Sequence, residues 1–258
     1  MSTIGEALEL RLDGDGRWLA HADPAHQSIT GMFGGWTAGV LLGAVSQSAE
    51  GSARPSAMTV NYLGPIPPGD DVVVSAEHLG GGRSIDHWRA EVKADGAVLA
   101  TGLVALANRR ASEPHQQLRM PEAPDPAPLE RIFAPSPQGL QSDIRQISGE
   151  LDSGDTRSLI WVRDASGRPL DHLQLAYLAD QYAPRSFYWG GDPGPSATIS
   201  MSVYFHATDD ELAAVGDDYI LNEATGTRGE HSTSGQQARL WSRDGTLLAT
   251  TEQLCWYR

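Results

Sequence analysis

Basic residues and cysteine are both scarce in this chain of 258 residues. Lys and Arg total 19 against 33 Asp and Glu, so the formal net charge is −14. A surface this acidic repels nucleic acids and anionic lipids, and neither is expected as a main partner. The one cysteine, Cys255, excludes an internal disulfide bond and a cysteine-based metal cluster. A small buried thiol in a reducing cytoplasm is the natural interpretation.

Long apolar runs are also missing. No stretch approaches the roughly 18 apolar residues that a membrane-spanning helix requires. Residues 1–16 lack the basic start and the apolar run of a signal peptide. We therefore expect no membrane association and a cytoplasmic location. The hydrophobic content of 40% is still enough for a packed core, and the length fits one large domain or two of roughly 110 to 130 residues.

One strand-like segment occurs almost twice. DGAVLAT begins at Asp95 and DGTLLAT at Asp244, an offset of 149 with five of the seven positions identical. The tripeptide PSA occurs at Pro55 and again at Pro195, an offset of 140. Each copy has an apolar helix followed by four strand-like runs separated by turn residues. The sequence therefore predicts a tandem duplication of an α+β unit in which an antiparallel sheet wraps one helix.

A proline-rich segment divides the two copies. Residues 112–138 contain seven of the sixteen prolines, so they cannot form a long helix or a central strand. We predict a linker or wrapped connector there, between a first unit at residues 1–111 and a second at 139–258. The predicted helices cover Gly34–Glu50 in the first unit and Leu170–Pro184 in the second.

Several short motifs, in their order along the chain, carry a family resemblance. They are GMFGGWTAGVLLGAV, VNYLGPIPPG and GGRS in the first copy, and YLADQ, ATISMSVYFH and LATTEQLCWYR in the second. Together they resemble the double hot-dog acyl-CoA thioesterases. The resemblance implies an α+β double hot-dog fold, in which each of two tandem units wraps a central helix in an antiparallel sheet. It also implies hydrolysis of acyl-CoA thioesters without a cofactor, a metal or a covalent intermediate. Exposed sheet edges and faces make a homo-oligomer the expected state.

The resemblance places three catalytic residue types in the second copy, at Asp180, Thr198 and Gln253. A thiol with a pKa near roughly 8.5 departs readily as thiolate, so the reaction mainly needs an activated water. Partial burial is expected to raise the pKa of Asp180 and make it a useful base. Thr198 and Gln253 would hold the same water in position.

The duplication supports a single site of this kind. The offset of 149 pairs Gln253 with Val104, and the offset of 140 pairs Thr198 with Met58 and Asp180 with Val40. The first-copy residues are all apolar, and a buried polar group is costly unless it is satisfied. We therefore predict one polar pocket, in the second copy. The alternation of apolar residues around Met58 and Thr198 disagrees between the copies, which indicates a bulge or a one-residue shift.

Substrate contacts are expected from glycines and an arginine in the first copy. Backbone N–H groups of Gly34 and Gly35, where a glycine-rich loop enters a helix, could bind the oxyanion, although close packing explains these glycines equally well. Arg83 in GGGRS could contact a CoA phosphate or could simply be solvated. We predict no metal site and no Ser-His triad, because the histidines share no ligand spacing and have no evident Ser or Cys partner. Those considered are His26, His87, His172, His206 and His231.

Two other functions fit the same fold. The first is an acyl-CoA or acyl-chain binding protein without hydrolytic activity. It is motivated by Ser200 and Met201, which stand where the resembled family often has an Asp-His pair after the threonine. The second is hydratase chemistry, which would need a histidine near the catalytic Asp on a loop entering the helix. LADQY contains no such histidine, so hydrolysis is the preferred prediction.

Overall fold

A computed structural model describes residues 2–14, 16–189 and 194–258 of the chain. Within these residues it contains α-helices and one antiparallel sheet, joined by loops and short 3₁₀ helices. The helices are α1 (Ile4–Ala7), α2 (Gly34–Ser48), α3 (His172–Leu178) and α4 (Asp209–Val215). The 3₁₀ helices are Pro24–His26, Pro137–Leu140 and Arg185–Tyr188. The strands are β1 (Leu10–Asp13), β2 (Arg17–His21), β3 (Arg54–Tyr62), β4 (Asp71–Gly81), β5 (Ile85–Ala94), β6 (Ala97–Ala107), β7 (Arg131–Ile132), β8 (Ser142–Ser148), β9 (Ser158–Asp164), β10 (Ser196–Phe205), β11 (Ile220–Glu230), β12 (Thr233–Trp241) and β13 (Leu247–Tyr257).

The strand order of the sheet is nearly symmetric about its middle. The order is β1-β2-β4-β5-β6-β3-β10-β13-β12-β11-β9-β8-β7. The chain therefore builds one half of the sheet from β1 to β6 and repeats the same order outward from β10, with β7 as an added edge strand. The halves join where β3 pairs with β10, for example Val60 opposite Met201. This arrangement confirms the predicted α+β class, and the four strand-like runs of each copy are β3–β6 and β10–β13.

Helix α2 lies in the core of the first half. Every residue from 35 to 45 is buried, which explains why this helix is apolar on all sides rather than along one stripe. Its bounds agree with the predicted Gly34–Glu50 to within two residues. The predicted Leu170–Pro184 helix is too long, because α3 ends at Leu178 and a 3₁₀ helix follows from Arg185. Asp180 therefore lies in the turn after α3, not within the helix.

The two core helices meet at Gly35. A β-carbon at this position would lie 2.2 Å from the carbonyl oxygen of Tyr177 in α3, so no larger residue fits without moving a backbone. Close packing is thus one requirement for this glycine. It brings the beginning of α2 against the end of α3, which is where Asp180 follows.

The proline-rich segment runs across the outer face of the second half. The indole N–H of Trp161 donates to the Pro124 carbonyl at 2.8 Å, and the backbone N–H of Leu247 donates to the Gln116 side chain at 2.9 Å. The segment thereby covers a small apolar cluster on that face, formed by Leu159, Trp161, Tyr219, Leu221 and Trp241. Its last residues already contain β7 and begin a 3₁₀ helix. The limits 1–111, 112–138 and 139–258 stay a prediction.

Candidate active site

The structure brings the three predicted catalytic residues together around Gln253. Its side-chain nitrogen Nε2 donates to Oδ1 of Asp180 at 2.7 Å. Its oxygen Oε1 accepts from the hydroxyl of Thr198 at 3.5 Å, at the long end of the hydrogen-bond range. Gln253 is buried with 3% of its surface exposed, whereas Asp180 and Thr198 are both partly exposed. The two outer members of the trio thus keep part of their residue surface exposed, whereas Gln253 does not.

Burial changes the acidity of Asp180. Surrounding protein disfavours the charged carboxylate and raises the pKa of Asp180 to about 7, against an ordinary value of 3.8. Hydrogen bonds from the Gln253 side chain and the Gly35 backbone act in the opposite direction and favour the charged form. A carboxyl group with this pKa is partly ionised near neutral pH. It can accept a proton there and also return it, as general acid–base catalysis requires.

Gly34 leaves the space that the Asp180 carboxylate occupies. A β-carbon at Gly34 would lie 2.6 Å from Oδ2 of Asp180. The preceding residue, Phe33, is the N-cap of α2 and its side chain makes no capping hydrogen bond. Phe33 therefore does not cap the first N–H groups of α2, and the N–H of Gly35 bonds to the Asp180 carboxylate instead. That the backbone N–H groups of Gly34 and Gly35 donate to the oxyanion stays a prediction.

Two tyrosines flank the carboxylate, one from each half. The hydroxyl of Tyr62, at the end of β3, donates to the carbonyl of Gly34 at 3.0 Å. The hydroxyl of Tyr182 lies 3.2 Å from that of Thr251. Burial raises the pKa of both phenols, and the charge of Asp180 raises it further. Both tyrosines are therefore neutral at physiological pH and act as hydrogen-bonding groups, not as bases.

Cys255 belongs to the same group of side chains. Its sulfur lies 3.8 Å from the Thr198 hydroxyl and 3.8 Å from Oε1 of Gln253. Burial raises the pKa of this thiol to about 12, with a further contribution from the charge of Asp180. A nucleophilic cysteine requires the thiolate. The neutral thiol of Cys255 is therefore a packing group.

Sequence reasoning did not predict the two tyrosines, and it also missed the polar residue that bonds directly to Gln253, which is Gln236. Its Nε2 donates to Oε1 of Gln253 at 2.8 Å, and its Oε1 accepts from the backbone N–H of Arg185 at 3.0 Å. Gln236 is 3% exposed. It lies in β12 directly opposite Gln253 in β13, so the strand register determines the contact.

Two matching β-bulges correct the alignment of the copies. The pairing of β3 with β6 shifts by one residue after Pro55, and the pairing of β10 with β13 shifts by one residue after Thr198. Pro55 and Thr198 are 143 residues apart, and the same offset relates Met58 to Met201. Thr198 therefore corresponds to Pro55, and its predicted match with Met58 is wrong. Because side chains alternate between the two faces of a strand, the odd offset of 143 brings the apolar residues of both copies onto the same face. The match of Asp180 with Val40 depended on the offset of 140 and therefore has no basis.

Strand pairing supports the other match and adds one. Val104 pairs with Met58, as Gln253 pairs with Met201, so Gln253 corresponds to Val104 as predicted. Val104 also pairs with Trp88, as Gln253 pairs with Gln236, so Gln236 corresponds to Trp88. The second half thus carries Thr198, Gln236 and Gln253 where the first half carries proline, tryptophan and valine.

The structure does not bring Arg83 to this group. Arg83 is exposed in the turn between β4 and β5. That turn adjoins Ala107, which pairs with Arg54 at the beginning of β3. Tyr62, at the other end of β3, is the residue that reaches the site. A strand of this length spans roughly 25 Å, so a contact between Arg83 and substrate at Asp180 would need a ligand that reaches along the sheet.

Two family profiles match almost the whole chain. Residues 22–107 match the acyl-CoA thioesterase N-terminal domain, and residues 110–257 match the acyl-CoA thioesterase C-terminal domain. The chain belongs to the acyl-CoA thioesterase family. This result confirms the resemblance seen in the sequence motifs. A search of curated protein sequences found no match.

Solved structures place this thioesterase-family chain in the double hot-dog fold. A hot-dog protein of unknown function from Alicyclobacillus acidocaldarius is 32% identical, with 100% of this chain and 98% of that one covered and a TM-score of 0.94. The tesB protein of Mycobacterium avium subs paratuberculosis is 23% identical, with 99% and 98% covered and a TM-score of 0.82. An acyl-CoA thioesterase II, TesB2, from Mycobacterium marinum is 18% identical, with 99% and 98% covered and a TM-score of 0.79. Family and fold together support thioester hydrolysis as the general activity.

Proposed function

We propose that this protein hydrolyses acyl-CoA thioesters to a free carboxylic acid and CoA, with Asp180 as general base. The observation that carries the proposal is the 2.7 Å contact between Gln253 and the Asp180 carboxylate, with the Thr198 hydroxyl on the other end of the same amide. This is a carboxyl group with a pKa near neutrality, beside a hydroxyl that can position water. The family membership supplies acyl-CoA as the substrate class.

The proposed reaction begins with a water held between Asp180 and Thr198. Because the Thr198 hydroxyl donates to Gln253, its lone pairs are free to accept a hydrogen bond from this water. Asp180 removes one proton while the water oxygen attacks the thioester carbonyl carbon. The tetrahedral intermediate then collapses, the C–S bond breaks, and Asp180 returns the proton to the CoA thiolate. One water is consumed, and a carboxylic acid and a thiol are released.

The oxyanion of the intermediate needs hydrogen-bond donors, and the proposal assigns the backbone N–H groups of Gly34 and Gly35 to it. In the resting site the Gly35 N–H interacts with the Asp180 carboxylate. When Asp180 takes the proton from water, its attraction for this N–H weakens. The donor becomes available at the same moment as the negative charge develops on the substrate oxygen.

The test is release of free CoA thiol from a panel of acyl-CoA esters of different chain length. We expect turnover by the wild type and a loss of about 10²- to 10⁴-fold in Asp180→Asn, the usual contribution of a general base. The control is Asp95→Asn, the same chemical change in an exposed turn, which should leave the rate unchanged. An Asp180→Asn variant as active as the wild type would exclude Asp180 as the base.

The same panel distinguishes the alternative function, acyl-CoA binding without hydrolysis. Met201 lies where the resembled family often has a histidine, and its sulfur accepts from Nε2 of Gln253 at 3.2 Å. A thioether cannot transfer a proton, so hydrolysis has to proceed without a second titratable group at this position. Calorimetric binding of acyl-CoA with no thiol release at any chain length would favour the binding function.

The proposal includes a cytoplasmic homo-oligomer that acts in lipid metabolism. The homo-oligomer is supported by apolar side chains on the outer face of β10 and β13, where Tyr204, Leu254 and Trp256 are 47%, 41% and 39% exposed. Exposed apolar groups of this kind mark surfaces of association. Light scattering at several protein concentrations measures the mass, and a monomer throughout would contradict the oligomer.

A further inference from the structure

We propose that Gln236 is a positioning residue that sets the orientation of the Gln253 side-chain amide toward Asp180. The inference rests on the proposed function for its catalytic meaning, but its structural content concerns hydrogen-bond direction alone. Gln236 does not contact the carboxylate itself. It acts through Gln253, with which it shares one hydrogen bond.

The direction of the hydrogen bonds follows from one backbone group. The N–H of Arg185 can only donate, so the side-chain atom of Gln236 that faces it at 3.0 Å has to be the oxygen. The nitrogen of Gln236 then faces Gln253 and donates to its oxygen at 2.8 Å. This leaves the nitrogen of Gln253 to donate to Asp180 at 2.7 Å. Neither amide can rotate by half a turn without placing two oxygens or two nitrogens against each other.

The Arg185 side chain holds this backbone group in place. Its guanidinium is buried with 0% of the residue exposed. It donates to the carbonyls of Ala183 at 2.6 Å and Thr156 at 2.9 Å and to the hydroxyl of Ser158 at 2.8 Å, and it lies 4.3 Å from the ring centre of Tyr188. These bonds attach the segment after Asp180 to the region of β9. The starting point of the amide chain is therefore rigid.

The orientation matters because the two ends of the Gln253 amide have opposite effects on Asp180. The N–H favours the charged carboxylate, whereas an amide oxygen in the same place would repel it and would accept only from the protonated acid. Without Gln236, both orientations of Gln253 become available. The carboxylate would then be less favoured and the pKa of Asp180 would rise. In the first half the two equivalent positions hold Trp88 and Val104, so both members of the pair are replaced together.

The first test compares the pH dependence of kcat/KM in Gln236→Met and Gln237→Met. Met has nearly the size of Gln and no amide. Gln237 is the next residue of β12 and lies on the other face, opposite Glu252, so it is a matched control.

The base must be charged, so activity rises with pH through the pKa of Asp180. We expect this rise to move up by about one pH unit in Gln236→Met, equivalent to about tenfold lower kcat/KM at pH 6. Near pH 9 activity should approach that of the wild type, and Gln237→Met should match the wild type throughout. An unshifted profile in Gln236→Met would overturn the inference.

A double-variant comparison separates positioning from a general loss of packing. If Gln236 acts only through Gln253, then Gln236→Met should add no further shift in a Gln253→Met background. Additive shifts would show that Gln236 acts by another route and would overturn the inference.

Carboxyl ¹³C NMR measures the titration of Asp180 without any enzymatic assay. We expect a higher titration midpoint in Gln236→Met than in the wild type. A protein that hydrolyses no thioester but shows this shift would refute the proposed function and leave the inference intact. An active wild type whose titration midpoint stays unchanged in the variant would refute the inference and leave the proposed function intact.

In the wild type alone, the side-chain N–H resonances of Gln253 should shift with the titration of Asp180. This measurement needs no variant to fold, and resonances that ignore the titration would overturn the inference.

Discussion

The side-chain nitrogen of Gln253 lies 2.7 Å from a carboxylate oxygen of Asp180, although 73 positions of the chain separate them. Asp180 follows α3, and Gln253 lies in the last strand. From the first half, Gly34 at the beginning of α2 lies against the same carboxylate, and Tyr62 at the end of β3 donates to the carbonyl of Gly34 beside it. The site is therefore formed where the two halves meet, and changes in either half should be felt there.

Removing the amide of Gln253 should weaken catalysis by making Asp180 a poorer base at neutral pH. In Gln253→Met the carboxylate loses a hydrogen bond that favours its charged form, so the pKa of Asp180 should rise above about 7. We expect kcat/KM at pH 7 to fall by roughly ten- to a hundredfold, since a hydrogen bond to a charged group is worth about 1.5–3 kcal/mol. The loss should shrink at higher pH. A pH–rate profile measures both effects, with Gln237→Met as the control. A loss that is equal at all pH values would contradict the explanation.

Asp180 should make the protein less stable as the pH rises. Its folded-state pKa of about 7 exceeds the ordinary 3.8, so the native state holds the proton more tightly than the unfolded chain between these values. The free energy of unfolding should therefore fall from about pH 4 to pH 7. Asp180→Asn lacks this titration and should be more stable than the wild type by roughly 2–4 kcal/mol at pH 8, with little of that gain left at pH 4. Denaturant unfolding at a series of pH values measures the difference. A gain that is constant with pH would argue against a raised pKa.

A methyl group at Gly34 should displace the carboxylate without unfolding the protein. The β-carbon would lie 2.6 Å from Oδ2 of Asp180 and 3.3 Å from the hydroxyl of Tyr62, so one of the two side chains has to move. We expect Gly34→Ala to lower kcat by more than about tenfold, because small displacements of a catalytic group are costly. The control is Gly82→Ala, whose β-carbon would meet nothing within 4 Å. Full activity in Gly34→Ala would mean that the carboxylate position is unimportant.

Arg109 should stabilise the junction of the two halves. Its guanidinium donates to the carbonyl of Phe205, the last residue of β10, and to the carbonyls of the next two residues, His206 and Ala207. It also donates to the carbonyl of Pro55 in β3. Removing it replaces these charge-assisted hydrogen bonds by bonds to water and unlinks β10 from β3 at this point. Arg109→Met should therefore lower the free energy of unfolding by about 2–4 kcal/mol. Urea unfolding measures this, and Arg110→Met, at an equally exposed neighbour that contacts the Ser84 hydroxyl but no carbonyl of the junction, should cost much less. Equal effects of the two variants would show that the carbonyl contacts contribute little.

Local signals in the sequence were enough for much of the fold. Asp95 and Gly96 have φ angles of 50° and 78°, the left-handed turn conformation that joins β5 to β6, and the Asp-Gly pair predicts such a hairpin. The apolar run after Gly34 predicted α2 because a helix enclosed by a sheet is apolar on every side. The second helix was predicted too long. Its chain leaves the helix after Leu178, and the backbone N–H of Arg185 then donates to Gln236 in β12 instead of to a helical carbonyl.

The alignment of the copies could not be obtained from composition. A β-bulge adds one residue to a strand without a characteristic residue type, and one lies after Thr198 and another after Pro55. Both copies carry this bulge, so it leaves their offset unchanged. The offset of 140 failed for Thr198 because the two PSA tripeptides are not at equivalent strand positions, whereas the offset of 149 held for Gln253. Gln236 has no signal of its own in the run STSGQQARLW, since either glutamine could face the core.

The sequence by itself determined the two helix-and-sheet copies, the proline-rich connector and the residue types available for catalysis. These depend on apolar patterns, turn residues and prolines, which act on the chain within a few positions of themselves. Only the tertiary structure decided that Asp180, Gln253 and Gln236 form one chain of hydrogen bonds. Strand register and the packing of α3 against α2 bring these side chains together. The buried amides of Gln253 and Gln236 are satisfied because their partners arrive from distant parts of the chain.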